Sequence, residues 1–358
     1  MSDDKEQRAA SLDVMKGIDM MLIIGLGAVL WNIGAMHEQQ DWGKALMLQM
    51  EHAEWEGLHI HDLIFPLFVY MSGVAMNLSL RKRLRNGQGK ARLLCHLWSR
   101  AALLVVAGWL VNGALSWDMQ HMRMASVLEL IGISGALCGT IAIILRNVLP
   151  IGITALVLGI VIYGAQQYGG NYTPDGSINA AIDAVLCPGK LYYTNYDPEG
   201  PLCIASATVL SILGFMSGWL FSSSIPTGRR VLIWTGAAVL CLIISTQGPI
   251  IKKIWTPFFI AAAAGIGTLL LMILHLLCDV LPWRKWTVPF RVIGSNALFI
   301  YLVTNICDFG KLTTRIFGGI CTEILPVAWQ GVALCSCFLL LAWLLCYFLY
   351  RHRLYIRL

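Results

Sequence analysis

The sequence predicts an all-α polytopic membrane bundle of about ten transmembrane helices with a cytoplasmic N-terminus. Three observations carry this prediction. Of 358 residues, 57% are hydrophobic and 13% charged, where soluble domains carry roughly 25% charged residues, and the mean hydropathy is +0.68. The apolar residues gather in runs of about 17–25, the length that crosses a bilayer as a helix. Lysine and arginine collect in alternate connections, as orientation by positive charge requires.

In chain order the predicted spans are 16–36, 63–80, 94–115, 125–145, 148–168, 204–222, 231–246, 257–280, 292–308 and 328–350. The polar start, MSDDKEQRAASLD, lacks the charged, apolar and small-residue regions of a cleaved signal. Residues 1–15 thus read as a cytoplasmic segment, 16–350 as one transmembrane domain and 351–358 as a cytoplasmic tail. With the N-terminus inside, the cytoplasm receives Lys5, Arg8, Lys16, the stretch RKRLRNGQGKAR (81–92), Arg146, Arg229, Arg230, Arg284, Lys285, Arg291 and the tail arginines. The other side receives Lys44, Arg123, Lys190, Lys252, Lys253, Lys311 and Arg315. This bias accounts for the net charge of +6 without a nucleic acid as partner. The longest outer connection, 169–203, exceeds the usual loop length, as functional or disordered loops do, and its GGNYTPDG is turn chemistry.

Most of the eleven cysteines lie in apolar runs and act as small hydrophobes. No CxxC pair supports zinc. Cys187 with Cys203, or Cys307 with Cys321, could bridge if the two sides of each connection meet.

Four clusters hold candidate chemistry. The stretch HAEWEGLHIHD (52–62) brings three histidines and three carboxylates to the mouth of the second span. Imidazole is the side chain whose ordinary titration straddles neutral pH, and a carboxylate beside it fixes its tautomer, so His52 with Asp62 suits a general base. The competing reading has His52 solvated and Asp62 capping the second helix. A metal site would need His59, His61 and Asp62 on an extended segment, since side chains two apart do not share a helical face. The second cluster, NYDPEG (195–200), offers Asp197 and Glu199 to hydroxyls or an ammonium, or is a turn bent by Pro198 and Gly200. The third, PIIKKIWTP (249–257), presents Lys252, Lys253 and Trp255, either for stacking a sugar ring or as interfacial anchors. The fourth is the basic stretch 81–92, whose Arg81, Arg83 and Arg85 suit coenzyme phosphates or lipid headgroups. Glu129, Asn112, Asn296 and His275 are polar groups in or near apolar runs, where such groups commonly line a cavity or pathway. Gly214 and Gly218 carry small-residue spacing suited to helix packing.

The order of these segments resembles the heparan-α-glucosaminide N-acetyltransferase family of transmembrane acyltransferases. The resemblance runs from Arg8 to about Tyr301. RAASLDVMKGI (8–18) is similar to R-x-x-S-[LV]-D-x-[FM]-R-G-I, and the stretch 52–73 to H-x-x-W-N-G-L-x-x-x-D-L-V-F-P-x-F-x-F-x-M-G. RMASVLELIGI (123–133) is similar to R-x-x-G-V-L-Q-R-I-x-I, YDPEG (196–200) is shared, and PIIKKIWTP with PFRVIGSNALFIYL is similar to P-x-N-K-x-x-W-T and P-F-x-x-x-G-x-N-x-x-x-x-Y. Departures are Lys16 for Arg, Glu56 for Asn, His61 for a small residue, Glu129-Leu130 for Gln-Arg and Ile251 for Asn.

The resemblance implies transfer of acetyl from cytoplasmic acetyl-CoA, the acyl-donor co-substrate, to the amine of a glucosamine-type sugar on the far side of the membrane. It implies His52 as catalytic base with Asp62, and Glu56, His61, Asp197, Glu199, Lys252, Trp255 and Asn296 toward the sugar. It places Arg8, Lys16, Arg81, Arg83, Arg85 and Arg123 toward the coenzyme. Expected partners are acetyl-CoA, an amino sugar, the lipid bilayer of a bacterial inner membrane and a second copy of the chain. An amino-sugar transporter, or an acyltransferase with another acceptor, are the alternatives. The absence of an internal repeat favours the enzyme.

Overall fold

A computed structural model describes residues 10–114, 122–187, 189–281 and 283–356. Among these residues the regular structure is helical, with one isolated bridge between Arg123 and Gly189. That outcome is dictated by the solvent: in hydrocarbon every backbone group needs an internal partner, and a helix supplies one within the segment.

Among the described residues nine helices are long and apolar enough to cross a membrane: α1 Ala10–Met36, α3 Ile60–Arg85, α4 Lys90–Val111, α5 Val127–Leu145, α6 Val148–Tyr168, α8 Pro201–Phe221, α9 Thr227–Ser245, α10 Pro257–Val280 and α14 Val327–Arg351. The chain is a multi-pass membrane protein. The predicted ninth span is broken rather than straight. It consists of α11 Val288–Gly294, preceded by a 3-10 turn, and α12 Ala297–Ile306, bent by 56° at Ser295-Asn296. Three shorter helices went unseen in the hydropathy pattern because they are too short or too polar to read as spans. They are α2 Asp41–Gln49, α7 Ile178–Leu186 and α13 Phe309–Ile324.

The helices divide into two compact units. One holds residues 10–52, 59–64 and 270–356, within which α1 packs against α11 and α14, and α13 against α14. Gly17 and Gly294 allow the closest approach there, since a methyl on Gly17 would strike the Phe290 carbonyl. Two turns widen to π geometry, at Leu22–Leu26 in α1 and at Leu276–Val280 in α10. At the second, the Asp279 carboxylate accepts hydrogen bonds from the Ala10 amide (3.2 Å) and Ser11 Oγ (2.6 Å), satisfying the start of α1. His275 Nδ1 lies 3.1 Å from the same carboxylate, which explains a polar side chain in an apolar run.

The other unit holds residues 53–58 and 65–269. Its centre is α8, packed against α5 and α6. The spacing of Gly214 and Gly218 serves packing, as expected: a side chain at either would meet the backbone of Tyr70 or Val74 in α3. Arg81, Lys82, Arg83 and Arg85 occupy the last turns of α3, where cations oppose the helix dipole favourably. All eleven cysteines are free thiols, so neither candidate pair is bridged.

Candidate active site

In the first unit the site is built around the start of α3. Asp62 sits in the first turn of that helix with 1% exposure. Its Oδ2 accepts the backbone N–H of His59 at 3.1 Å, which satisfies one donor that a helix start leaves without an intrahelical partner. Its Oδ1 lies 2.8 Å from His52 Nδ1. One carboxylate oxygen thus meets His52 and the other caps the helix start. A carboxylate can only accept, so the proton of this bond resides on His52 Nδ1, and the lone pair of the neutral imidazole is on Nε2. The His52 side chain is 52% exposed, so that nitrogen belongs to an accessible group.

The neighbours hold this geometry. The carbonyl of Glu51 accepts from His59 Nδ1 at 3.0 Å. Gln49 Oε1 at the end of α2 accepts the Ile60 amide at 3.1 Å, and Glu51 Oε1 accepts from Trp31 Nε1 of α1 at 2.7 Å. The His61 ring lies beside His52, centroids 4.4 Å apart and tilted by 59°. His59 and His61 thus serve different neighbours. Among the described residues no three His, Cys, Asp or Glu side chains are placed to hold a metal ion. Lys16 is half-buried in α1, and Arg8 lies outside the described residues. Asn296 marks the bend between α11 and α12, where its amide group donates to the Leu354 carbonyl (3.1 Å) and accepts from the Ile356 amide (2.9 Å). Its side chain ties down the segment after α14.

The second unit carries a separate polar cluster. Asn112, at the end of α4, donates to the carbonyls of Arg123 and Ala125, both at 2.9 Å, and so fixes the segment entering α5. Ser126 caps that helix by accepting from the Glu129 amide at 3.1 Å. Arg123 is pinned further by its bridge to Gly189. Its guanidinium grips Asp197 through two bonds, at 2.8 and 2.5 Å, and also bonds Glu199. Asp197 organises the DPEG turn: it accepts from the amides of Tyr192 and Glu199, both at 3.0 Å, while its own amide donates to Asp183 Oδ2 at 2.9 Å. This is the planar two-point recognition that suits arginine and that lysine cannot reproduce.

The electrostatics follow from one cation facing several carboxylates. Burial alone would depress Arg123, but the bonds and charges of Asp197 and Glu199 outweigh it and raise its pKa. Burial opposes the charge on Asp197 too, yet the Arg123 bonds hold it below the usual range. Glu199 is pushed up by burial, and the adjacent Asp197 charge adds to that. Asp183, fully buried, is pushed up to about 6 by burial, with the Asp197 charge adding and the Asp197 amide opposing.

The other expected residues distribute as follows. Glu56 is exposed on the short segment before α3, where Gly57 adopts φ +142, a region that favours glycine. The Gly57 amide donates to the Ile250 carbonyl at 2.9 Å. Lys252 is half-buried in a 3-10 turn whose Ile254 carbonyl accepts from Gln166 and Asn179. Trp255 is 1% exposed, edge-on to Phe65 and Phe259, so it is a core side chain and not an open stacking face. Arg81 donates to Ser222 Oγ and its carbonyl at 2.8 and 3.1 Å, and Arg83 pairs with His96 at 2.8 Å, while Arg85 is exposed. The sequence reading missed Asp183 and the tyrosines of 192–196. The helical spacing of INAAIDAVL after the cap Ser177 was the available signal for Asp183.

Two curated proteins align with most of the chain. Human heparan-alpha-glucosaminide N-acetyltransferase is 22% identical over 364 residues, covering 82% of this chain and 52% of the relative. The mouse protein of the same name is 23% identical over 367 residues, covering 82% and 53%. The chain is a distant relative of the heparan-alpha-glucosaminide N-acetyltransferases. It spans about half the length of these relatives. No family model matches it. The relationship agrees with the family resemblance read from the motif order.

Proposed function

We propose that the chain is a transmembrane acetyltransferase that transfers acetyl from acetyl-CoA to the amine of a glucosamine-type sugar. The observation that carries this reading is the His52–Asp62 pair, in which the carboxylate accepts the Nδ1–H hydrogen bond of a half-exposed imidazole, so that the lone pair of the neutral ring is on Nε2. The names of the curated relatives supply the reaction class.

In this reading the amine attacks the thioester carbonyl, a C–N bond forms and the C–S bond breaks. His52 Nε2 accepts the proton that the nitrogen sheds and returns it to the departing thiol, with Asp62 stabilising the imidazolium in between. General-base assistance of this kind supplies about 10²–10⁴-fold, and positioning of the two substrates supplies further acceleration. Asp197 and Glu199, which the family resemblance assigns to the sugar, belong to the Arg123 cluster of the second unit. The stretch 81–92 fits coenzyme phosphates through its exposed members Arg85, Lys90 and Arg92, since Arg81 and Arg83 already hold protein partners. The charge bias of the connections supports a cytoplasmic N-terminus, with His52 on the outer side of the membrane.

Oriented proteoliposomes test this. Acetyl-CoA sealed inside, with glucosamine added outside, should yield N-acetylglucosamine outside and free CoA within. Unmodified glucosamine accumulating inside, independent of acetyl-CoA, would show a transporter instead. Product formed only when both substrates share one compartment would overturn the proposed sidedness.

A further inference from the structure

The sequence offers Trp255 for stacking a sugar, and the fold buries it. Within the same unit, the segment 191–196, LYYTNY, supplies an open aromatic surface instead. Tyr192 is 58% exposed although its backbone is fixed by the bond from its amide to Asp197. The Arg123 guanidinium lies over its ring at 4.5 Å. Tyr193 meets Tyr192 edge-on at 4.8 Å and stacks on Tyr196 at 4.8 Å, with Lys253 Nζ 4.8 Å from the Tyr193 ring. Trp55 closes the row, edge-on to Tyr196 at 5.6 Å and hydrogen-bonded to the Tyr172 carbonyl at 2.6 Å. The row is thus braced by its neighbours, and its exposed end, Tyr192, adjoins the carboxylates Asp197 and Glu199 through their shared partner Arg123.

We propose that Tyr192 is the stacking platform for the acceptor sugar, a hexosamine pyranose with a free amine; this rests on the transferase reading above. A pyranose presents C–H groups on its face, which meet the negative face of an aromatic ring favourably. Its ammonium seeks carboxylates, and Asp197 and Glu199 share with Tyr192 the Arg123 guanidinium. A ring already fixed by its backbone and by a cation on its face loses little freedom on binding. The competing role is an interfacial anchor, for which tyrosine is also suited.

Acetyl transfer by the full-length protein to glucosamine, and to ethanolamine as an amine without a pyranose face, separates these roles. Tyr192→Ala and Tyr192→Leu should raise KM for glucosamine at least about fivefold. The rise should fall on KM rather than kcat, with KM for acetyl-CoA and for ethanolamine unmoved. Tyr192→Phe and Tyr192→Trp should bring the glucosamine KM back near wild type. The leucine variant keeps apolar bulk should the alanine variant fail to fold. An unchanged glucosamine KM in the leucine variant, or an equal rise for ethanolamine, overturns the platform while leaving the transferase reading in place. Wild-type protein that acetylates neither amine overturns the transferase reading and the platform with it.

Discussion

Replacing Asp62 with asparagine isolates its two functions. The carboxylate accepts from two donors, His52 Nδ1 at 2.8 Å and the His59 amide at 3.1 Å. Asparagine has one acceptor oxygen and one NH₂, so it serves only one of them as before. The backbone N–H cannot change, whereas the imidazole can shift its proton. The carbonyl oxygen should therefore keep the helix start, and the NH₂ should face a deprotonated Nδ1. The proton then sits on Nε2, and the lone pair of the base faces the asparagine. Losing a charged hydrogen bond costs about 1.5–3 kcal/mol of imidazolium stabilisation, or about 10–150-fold. Losing the base tautomer removes the general-base factor of about 10²–10⁴. We expect kcat for glucosamine acetylation to fall by about 10²–10⁴, while thermal stability changes by less than about 1 kcal/mol because the cap survives. Asp62→Ala should lose the cap too, at about 0.5–2 kcal/mol. Nitrogen shifts in protein carrying ¹⁵N-histidine report the tautomer without any substrate. A kcat within threefold of wild type, or a proton still on Nδ1, would refute the reasoning.

Arg123→Ala strands buried carboxylates and should destabilise the fold by about 3–5 kcal/mol in thermal unfolding, with lysine rescuing only partly. Because Arg123 depresses Asp197, the stability from that pair is present above the unfolded carboxylate value and lost as pH falls through the lower folded value. The alanine variant should thus close the gap to wild type in acid, and a gap constant with pH would count against the pairing. Asp183, raised from 3.8 to about 6, behaves oppositely: its contribution is present below about 4 and lost as pH rises through about 6. Asp183→Asn, which mimics the protonated acid, should match wild type near pH 4 and exceed it at pH 8 by up to about 3 kcal/mol, as melting temperatures across that range will show. Neutralising Arg85, Lys90 and Arg92 together should weaken CoA binding and flatten its salt dependence, with melting temperature unchanged. Unaltered CoA affinity in calorimetry would assign the stretch to topology alone.

The sequence by itself determined the membrane class, most of the spans and the family relationship. Hydropathy and motif order are local properties, and the hydrocarbon solvent leaves a long apolar run only one good conformation. It also placed His52 and Asp62 within one stretch, close enough for the first helical turn to bring them together. Only the tertiary structure decided which groups meet across long separations. Arg123 and Asp197 stand 74 residues apart, and nothing in either segment announced their pairing. Trp255 looked like an open aromatic because Trp at a span end commonly is, but Phe65 and Phe259 enclose it. Asn296 looked like a ligand, until the chain after α14 returned to both ends of its amide. Burial depends on which other segments pack against a residue, and a side chain carries no local record of that; this is why the sequence could name candidate groups and not their exposure.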